Sequence, residues 1–443
     1  MSFGMANQVR LNDTEVVNDE RFMTPFALLT GLVIVICYWN IAHNWEASEL
    51  VKSVAENYNS GDENFTADRI KDVNALSTTF RLLFAAWGCF CFAISPKSRL
   101  NTSSLLLWSI LTVAVFLVAS VFWSANPSQT IFKLAVLGTM AIGAAGIAAK
   151  FSLREFLSIT TCVCLSFGLL GIVAEVLTGN FSPGSNHRFT GTTHPNTEAI
   201  FASFLCLISR LFLSKFGTRN FLGLGIFIFG MVVVWNTKSR TTLAGLLISL
   251  IVIQVLVARG SNRVLIVSGL LVLMSLGLAG SSMISQRSSG AFGSVANMGR
   301  NEDVSSLSGR LPLWEELIDS ISKKPILGYG YLAYWDAKKV EELSANFRWE
   351  IPHGHNSYLD VLLDGGIVGL SLVMLAILFS FVEAARLYSS RNQIEYAIVF
   401  GLLAYAVING LAESLFKLPG FALFVVLTCC FSMLKEEYQP RQQ

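Results

Sequence analysis

Apolar residues run in long unbroken stretches along this chain, and short polar segments separate them; neither a two-residue alternation nor an amphipathic helical stripe dominates. A bilayer core about 30 Å thick takes about 20 apolar residues per helix. Runs of that kind lie at 25–43, 78–95, 103–123, 129–149, 156–178, 197–214, 221–236, 241–258, 264–284, 357–384, 394–412 and 419–434. The pattern therefore predicts an all-α integral membrane protein with about 12 transmembrane helices, one per run.

The basic residues of the short connections set an orientation. Lys97 and Arg99, Lys150 and Arg154, Lys215 and Arg219, Arg259 and Arg263, Arg386 and Arg391, and Lys435 and Arg441 fall in alternate connections, which are assigned to the cytoplasm. The intervening set includes "WSANPSQ", which has no basic residue, and faces outward. The expected layout is one polytopic domain over 1–443: a cytoplasmic segment 1–24, an outer loop 44–77, a large outer loop 285–356 and a cytoplasmic tail 435–443. In the large extracytoplasmic loop, "LPLWEELIDSISKK" puts Leu313, Trp314, Leu317, Ile318 and Ile321 at helical spacing. That predicts an amphipathic helix, lying either on the membrane surface or as a cap on the bundle.

Composition agrees. Of 443 residues, 53% are AVILMFWYC and only 14% are charged, against about 25% charged in a soluble domain; mean hydropathy is +0.56. The net charge of +2 argues against a nucleic-acid partner. All 8 cysteines lie in apolar runs without a CxxC pair, so neither a disulfide framework nor a thiolate zinc site is expected. The polar, mixed-charge first 24 residues do not read as a cleaved signal peptide.

At three short or functional-looking positions on the expected outer side, cations break the orientation pattern: Arg188 in "NHRFTGTTHPN", Lys238 and Arg240 in "NTKSRTT", and Arg310 in "LSGRLPLW". Snorkelling or a local salt bridge is one explanation. An anionic ligand is the other, because an arginine fork grips phosphate oxygens in pairs and Arg240 opens an apolar helix whose orphan N–H groups attract anions. All 5 histidines, His43, His187, His194, His353 and His355, also fall on that side. His353 and His355, in "IPHGHNSYLDVLLDGGIVGL", sit where an imidazole can exchange a proton with a membrane-borne substrate near neutral pH. A structural histidine is an alternative; so is a His-x-His metal site with Asp360 or Asp364, although no HExxH accompanies it. Lys133, Glu175 and Glu413, near outer helix ends, are further ionisable candidates, and Trp39, Trp123 and Trp235 mark outer ends as an aromatic belt would.

Six segments in order, "WSANPSQT", "RFTGTTHPNTEA", "TKSRTTL", "SGRLPLWEELIDSISKKPILGYGY", "HGHNSYLDVLLDGGIVGL" and "NGLAES", resemble the bacterial family of O-antigen ligases and O-antigen or exopolysaccharide polymerases, which are membrane glycosyltransferases. The resemblance implies a multi-pass enzyme of the bacterial cytoplasmic (inner) membrane, with its active site on the periplasmic side. Its donor would be an undecaprenyl-diphosphate-linked oligosaccharide and its acceptor a glycan or lipid A core, with chain-length regulators or export proteins as candidate partners. By similarity Arg240 and Arg310 match the arginines that hold the diphosphate, and His355 matches the essential histidine. The expected catalytic residues are His355, Arg240 and Arg310; the expected substrate contacts are Arg188, Lys238, Arg240, Arg310, His353, Tyr358 and Glu413. Arginines neutralise a diphosphate without Mg²⁺, and the outer loops carry no DxD cluster, so neither cofactor nor metal is expected. "WSANPSQT" and "GHNSYLD" look closer to the polymerase branch than to ligases. A lipid-linked sugar flippase is the alternative from another class, and the clustering of charge at one face rather than at mid-membrane argues against it.

Overall fold

The computed structural model describes residues 23–42, 63–96, 99–179, 187–213, 219–258, 310–347, 351–416 and 419–436. Its helices are α1 (Pro25–Ala42), α2 (Glu63–Ala93), α3 (Leu105–Ala119), α4 (Pro127–Lys150), α5 (Leu153–Leu177), α6 (Pro195–Ile208), α7 (Arg219–Thr237), α8 (Arg240–Val257), α9 (Arg310–Lys323), α10 (Ala337–Phe347), α11 (Ser357–Arg391), α12 (Ile394–Asn409) and α13 (Phe421–Met433). Short 3₁₀ turns extend α3 over Ser120–Trp123 and α6 over Ser209–Phe212. The one strand pairing described joins Arg99–Leu100 (β1) to Lys435–Glu436 (β2) over two residues.

Every predicted apolar span that falls on described residues is met by a helix, while 264–284 lies outside them. Among the described residues, 6 helices are long and apolar enough to cross a membrane, and four shorter apolar ones accompany them. Large apolar side chains such as Phe122, Val115, Leu177 and Phe221 stand exposed on the flanks, as lipid contact requires. The protein is thus an all-α, multi-pass membrane protein. Two boundaries differ from the hydropathy pattern. α2 begins at Glu63, so the polar stretch before residue 78 is partly helical rather than loop. The predicted outer loop 285–356 contains two helices, α9 and α10; residues 285–309 and 348–350 of it, like 1–22, 43–62 and 437–443, lie outside the described residues.

Local chemistry sets the helix ends. Asn126 caps α4, with Pro127 as its first residue. Ser152 and Glu155 form a reciprocal capping box on α5. Asn356 caps α11 by accepting from the Tyr358 and Leu359 N–H groups, and Asn392 closes that helix in the left-handed region. The core is an aromatic cluster in which Phe421 meets Phe201 edge-on at 5.0 Å and Tyr38 at 5.4 Å, close to Phe84, Phe167 and Phe424. α2 and α4 touch through Gly88, Gly143 and Gly146, small residues that let two backbones approach.

α11 is not continuous. Gly366 has φ 59° and ψ −160°, and the chain segment "PILGYGY" fills the break. Ile367 N–H donates to the Pro325 carbonyl and Val368 N–H to Ile326, while Tyr329 and Gly330 N–H groups donate to Leu363 and Asp364 carbonyls. The groups freed from the helical ladder are thereby paired inside the protein, the condition for irregular backbone in a membrane domain. A Cβ on Gly366 would lie 2.3 Å from the Ile326 backbone. From the other side "WSANPSQT" clamps the same segment: Trp123 Nε1 donates to Leu327 O at 2.9 Å, Thr130 Oγ1 to Tyr331 O at 3.0 Å, and Gln129 Nε2 to Leu332 O and Trp335 O at 2.7 and 3.0 Å.

The predicted amphipathic helix is α9, and it caps the start of α11. Leu313 and Leu317 are buried with Tyr334, Trp335, Leu343, Ile351 and Leu363, and Trp314 and Ile321 pack at the edge of that cluster. Ile318, one position round from Leu317, faces outward at 55% exposure.

Candidate active site

The ends of α5, α6, α7, α8, α9, α11, α12 and α13 that carry Glu175, His194, Thr237, Arg240, Arg310, Asn356, Asn409 and Gly420 meet at one end of the bundle. The turn after α12, "NGLAES", supplies its centre. Ser357, fully buried as the first residue of α11, fixes that turn: its N–H donates to Gly410 O at 2.8 Å, its hydroxyl donates to Glu413 O at 2.7 Å, and it accepts from Leu415 N–H at 2.7 Å. Asn356 Nδ2 adds a bond to Leu411 O at 3.1 Å.

Glu413 is therefore held, buried, at the focus of the site. Its Oε1 accepts from Arg310 at 3.0 Å and from Asn196 Nδ2 at 2.6 Å, and its Oε2 lies 3.7 Å from His355 Nδ1. Arg310 also donates to Ala412 O at 2.6 Å, so its fork spans the turn. Burial pushes the Glu413 carboxyl up, but the adjacent His355 imidazole and the Arg310 charge outweigh it, and the group sits below the ordinary carboxylate range. Glu413 is the ionised partner of both groups.

Asn196 extends the network. Its Oδ1 accepts from Arg188 at 3.1 Å, and Arg188 Nε donates to Thr237 O at 3.1 Å, at the α7–α8 turn where Lys238, with φ 53°, and Arg240 stand half-buried. The segment carrying Arg188 is itself anchored. Glu175 accepts from Thr190 N–H at 2.7 Å and Gly191 N–H at 3.1 Å, and Phe189 N–H donates to Asn236 O at 2.9 Å.

The two histidines are backed differently. His355 is turned to Glu413 directly, with its backbone at φ 48°, a left-handed conformation that costs a non-glycine residue about 1–3 kcal/mol. His353 Nδ1 lies 3.0 Å from Ser414 Oγ and accepts the His355 N–H at 3.2 Å. Ser414 is in turn hydrogen-bonded to Asp360, whose Oδ1 accepts from Trp335 Nε1 at 3.1 Å and Gly354 N–H at 3.0 Å. The rings stand 4.1 Å apart. His353 is thus linked to Asp360 through Ser414, while His355 faces Glu413.

The site borders a cleft of about 550 Å³. Its lining combines polar residues, His194, Asn196, His353, His355, Glu413 and Ser414, with apolar ones, Ile200, Phe201, Leu415, Phe421, Ala422 and Leu423. His194 caps α6 through Nδ1, which accepts the Asn196 N–H at 3.2 Å. Burial pulls its imidazole below the usual value; Glu413 opposes this, and Arg188, His355 and Arg310 add to it.

The structure thus joins Arg188, Arg310, His353, His355 and Glu413, and places Lys238 and Arg240 on the adjoining turn. The Tyr358 hydroxyl donates to Val407 O at 2.7 Å and its ring meets Phe416 edge-on at 6.0 Å, tying α11 to α12. Asn196, Ser357 and Ser414 are not among the expected site residues, and Asp360 is expected only as an alternative metal ligand. Each is a polar residue next to a helix start or turn, where capping alone accounts for its type.

Comparison with known proteins places residues 224–374 in a family described as O-antigen ligase. That range contains Lys238, Arg240, Arg310, His353, His355, Tyr358 and Asp360, and leaves Arg188, His194 and Glu413 outside. The exopolysaccharide production protein ExoQ of Rhizobium meliloti (strain 1021) is similar to this chain, with 29% identity over 116 residues, 25% of this chain and 26% of that protein. The chain thus matches about a quarter of that relative's length.

Proposed function

We propose that this member of the O-antigen ligase and polymerase family transfers a glycan from an undecaprenyl-diphosphate-linked donor to an acceptor sugar hydroxyl, and that it polymerises surface-polysaccharide repeat units on the outer face of the bacterial cytoplasmic membrane. The observation that carries the reading is the cleft itself, lined by His194, His353, His355 and Glu413 together with apolar side chains such as Ile200, Phe201, Phe421 and Leu423, with Arg310 bonded to Glu413. A prenyl diphosphate combines both characters, an anionic head on an apolar chain.

The chemistry follows from what the residues offer. Arg310, Arg188 and Arg240 hold the diphosphate and neutralise the charge that develops as the bond from the anomeric carbon to the phosphate oxygen breaks. His355, with Nδ1 turned to the ionised Glu413, presents Nε2 as the proton acceptor. The acceptor hydroxyl loses its proton to Nε2, its oxygen bonds the anomeric carbon, and the lipid diphosphate departs. Glu413 then stabilises the imidazolium, as the carboxylate of a catalytic triad does. The reaction needs positioning and charge stabilisation more than activation, since the diphosphate is already a good leaving group, and no metal is assigned a role.

The wider layout of this reading is about 12 transmembrane helices, one per apolar run, with both termini cytoplasmic and the Glu413 end periplasmic. The similarity to an exopolysaccharide production protein supports the polymerase reading, and the family description, O-antigen ligase, supports the ligase alternative. Purified protein incubated with lipid-linked repeat units alone tests that choice. A ladder of products identifies a polymerase; no product until lipid A core is added identifies a ligase. Liposome flux of lipid-linked sugar without covalent product would replace both with transport.

A further inference from the structure

The opposite end of the bundle holds a second cavity. α5 runs from Leu153 to Leu177, so its start lies about 37 Å along the helix from the Glu175 end at 1.5 Å per residue. There the α4–α5 turn, the α11–α12 turn and the end of α13 enclose about 420 Å³. Lys150, Arg154, Arg391 and Lys435 line it against a single carboxylate, Glu395, so the lining carries three net positive charges. Arg154 pairs with Glu395. The two lysines hydrogen-bond backbone carbonyls, Lys150 to Ile94 O at 3.3 Å and Lys435 to Phe151 O at 2.8 Å, and Arg391 donates to the Tyr396 hydroxyl at 2.6 Å.

Orientation in a membrane explains why cations collect at one end of a bundle. It does not require them to converge on a concave volume, nor to be buried there. Burial lowers the Lys435 ammonium to about 8, with Glu155 opposing the shift, a cost that an anion in the cavity would relieve. The Ser432 hydroxyl lines the same cavity and is buried with no hydrogen-bond partner among the described residues, leaving a donor for an oxyanion. Basic pockets between membrane helices are suited to phosphate head groups.

We propose that this cavity binds a phosphate-bearing anion through Lys435, Arg391, Lys150 and the Ser432 hydroxyl. Phospholipid head groups and free inorganic phosphate share this chemistry. The test uses the purified full-length protein in neutral detergent. Binding and thermal midpoint are followed against dihexanoyl-phosphatidylglycerol, inorganic phosphate, and dihexanoylglycerol, which lacks the phosphate. Saturable binding of the phosphatidylglycerol but not of dihexanoylglycerol is expected, with Lys435→Gln and Arg391→Gln each about tenfold weaker, the effect of one lost charged hydrogen bond. Competition by inorganic phosphate would confirm the shared site, and binding of phosphate without the lipid would identify the free anion as occupant.

Because Lys435 also ties the end of α13 to Phe151, Ser432→Ala serves as a second variant that removes only a hydroxyl; it should bind about fivefold more weakly with an unchanged ligand-free midpoint. Lys323→Gln, on an exposed pair with Asp319, should bind as wild type. Absence of saturable binding by either phosphate compound, or wild-type affinity in the Lys435, Arg391 and Ser432 variants, would overturn the proposal. So would an equal loss in Lys323→Gln, which would reduce the effect to bulk charge.

Discussion

Glu413 Oε2 lies 3.7 Å from His355 Nδ1, while the other oxygen of the same carboxylate accepts from Arg310 at 3.0 Å. One buried anion therefore orients both the proposed proton acceptor and one of the proposed diphosphate-binding cations, although these three residues come from three separate segments of the chain. Removing it should affect both functions at once.

Glu413→Gln retains an oxygen acceptor for Arg310 and Asn196 but removes the charge that sets the His355 tautomer and stabilises its imidazolium. Transfer should fall by about 10²-fold or more with folding largely kept. Glu413→Ala, which leaves the half-buried Arg310 without its carboxylate, should in addition lower stability, by less than the about 3–5 kcal/mol of a fully buried pair. Thermal midpoints and initial transfer rates measured side by side separate the two effects. Equal activity of Glu413→Gln and wild type would remove Glu413 from the proposed mechanism.

Arg310→Lys keeps the charge but cannot bridge Ala412 O and Glu413 while still presenting a planar fork to a diphosphate. Arg240→Lys should behave alike. Both should be severely impaired with purified lipid-linked donor, and full activity in either would argue against paired phosphate recognition by that arginine.

Two glycine substitutions test the break in α11. Gly366→Ala forces a Cβ into the left-handed region and to within 2.3 Å of the Ile326 backbone, so it should be strongly destabilising, by the roughly 1–3 kcal/mol of backbone strain plus the clash. Gly138→Ala, in α4 with nothing within 4 Å of its Cβ, should stabilise by about 0.5–1 kcal/mol. Thermal unfolding in detergent reads both; a tolerated Gly366→Ala would mean that "PILGYGY" does not dock as described.

The helices are easy to read from the sequence because a run of about 20 apolar residues has few alternatives. The start of α2 at Glu63 is not, because its first residues are polar and carry no membrane signal. Arg188, Arg310 and the histidines stand out as charges on the wrong side of a topology. The partners that aim them do not: Asn196 lies 217 residues from Glu413, and Ser414 lies 54 from Asp360. "WSANPSQT" is recognisable as a motif, yet its work, clamping residues about 200 positions away, depends on contacts that local pattern does not encode.

His194 makes the fold acid-sensitive in a definite direction. Its folded value lies below the ordinary 6.5, so the neutral form is favoured in the native state. Its contribution is complete above pH 6.5 and is lost as pH falls through the depressed folded value. Glu413, also depressed, contributes fully above pH 4.5 and is lost further down. The thermal midpoint should therefore decline below pH 6.5, and His194→Asn, which keeps a helix-capping side chain, should flatten the first part of that decline. An identical pH profile in the variant would exclude His194 as its source.

The most direct test of the central claim is the rate of glycan transfer from purified lipid-linked donor by His355→Ala and His353→Ala, assayed in parallel at saturating donor. The account predicts a loss of about 10²- to 10⁴-fold for His355→Ala, the usual cost of removing a general base, and a smaller loss for His353→Ala, whose ring is linked to Asp360 through Ser414. Near wild-type transfer by His355→Ala, with His353→Ala inactive, would contradict it.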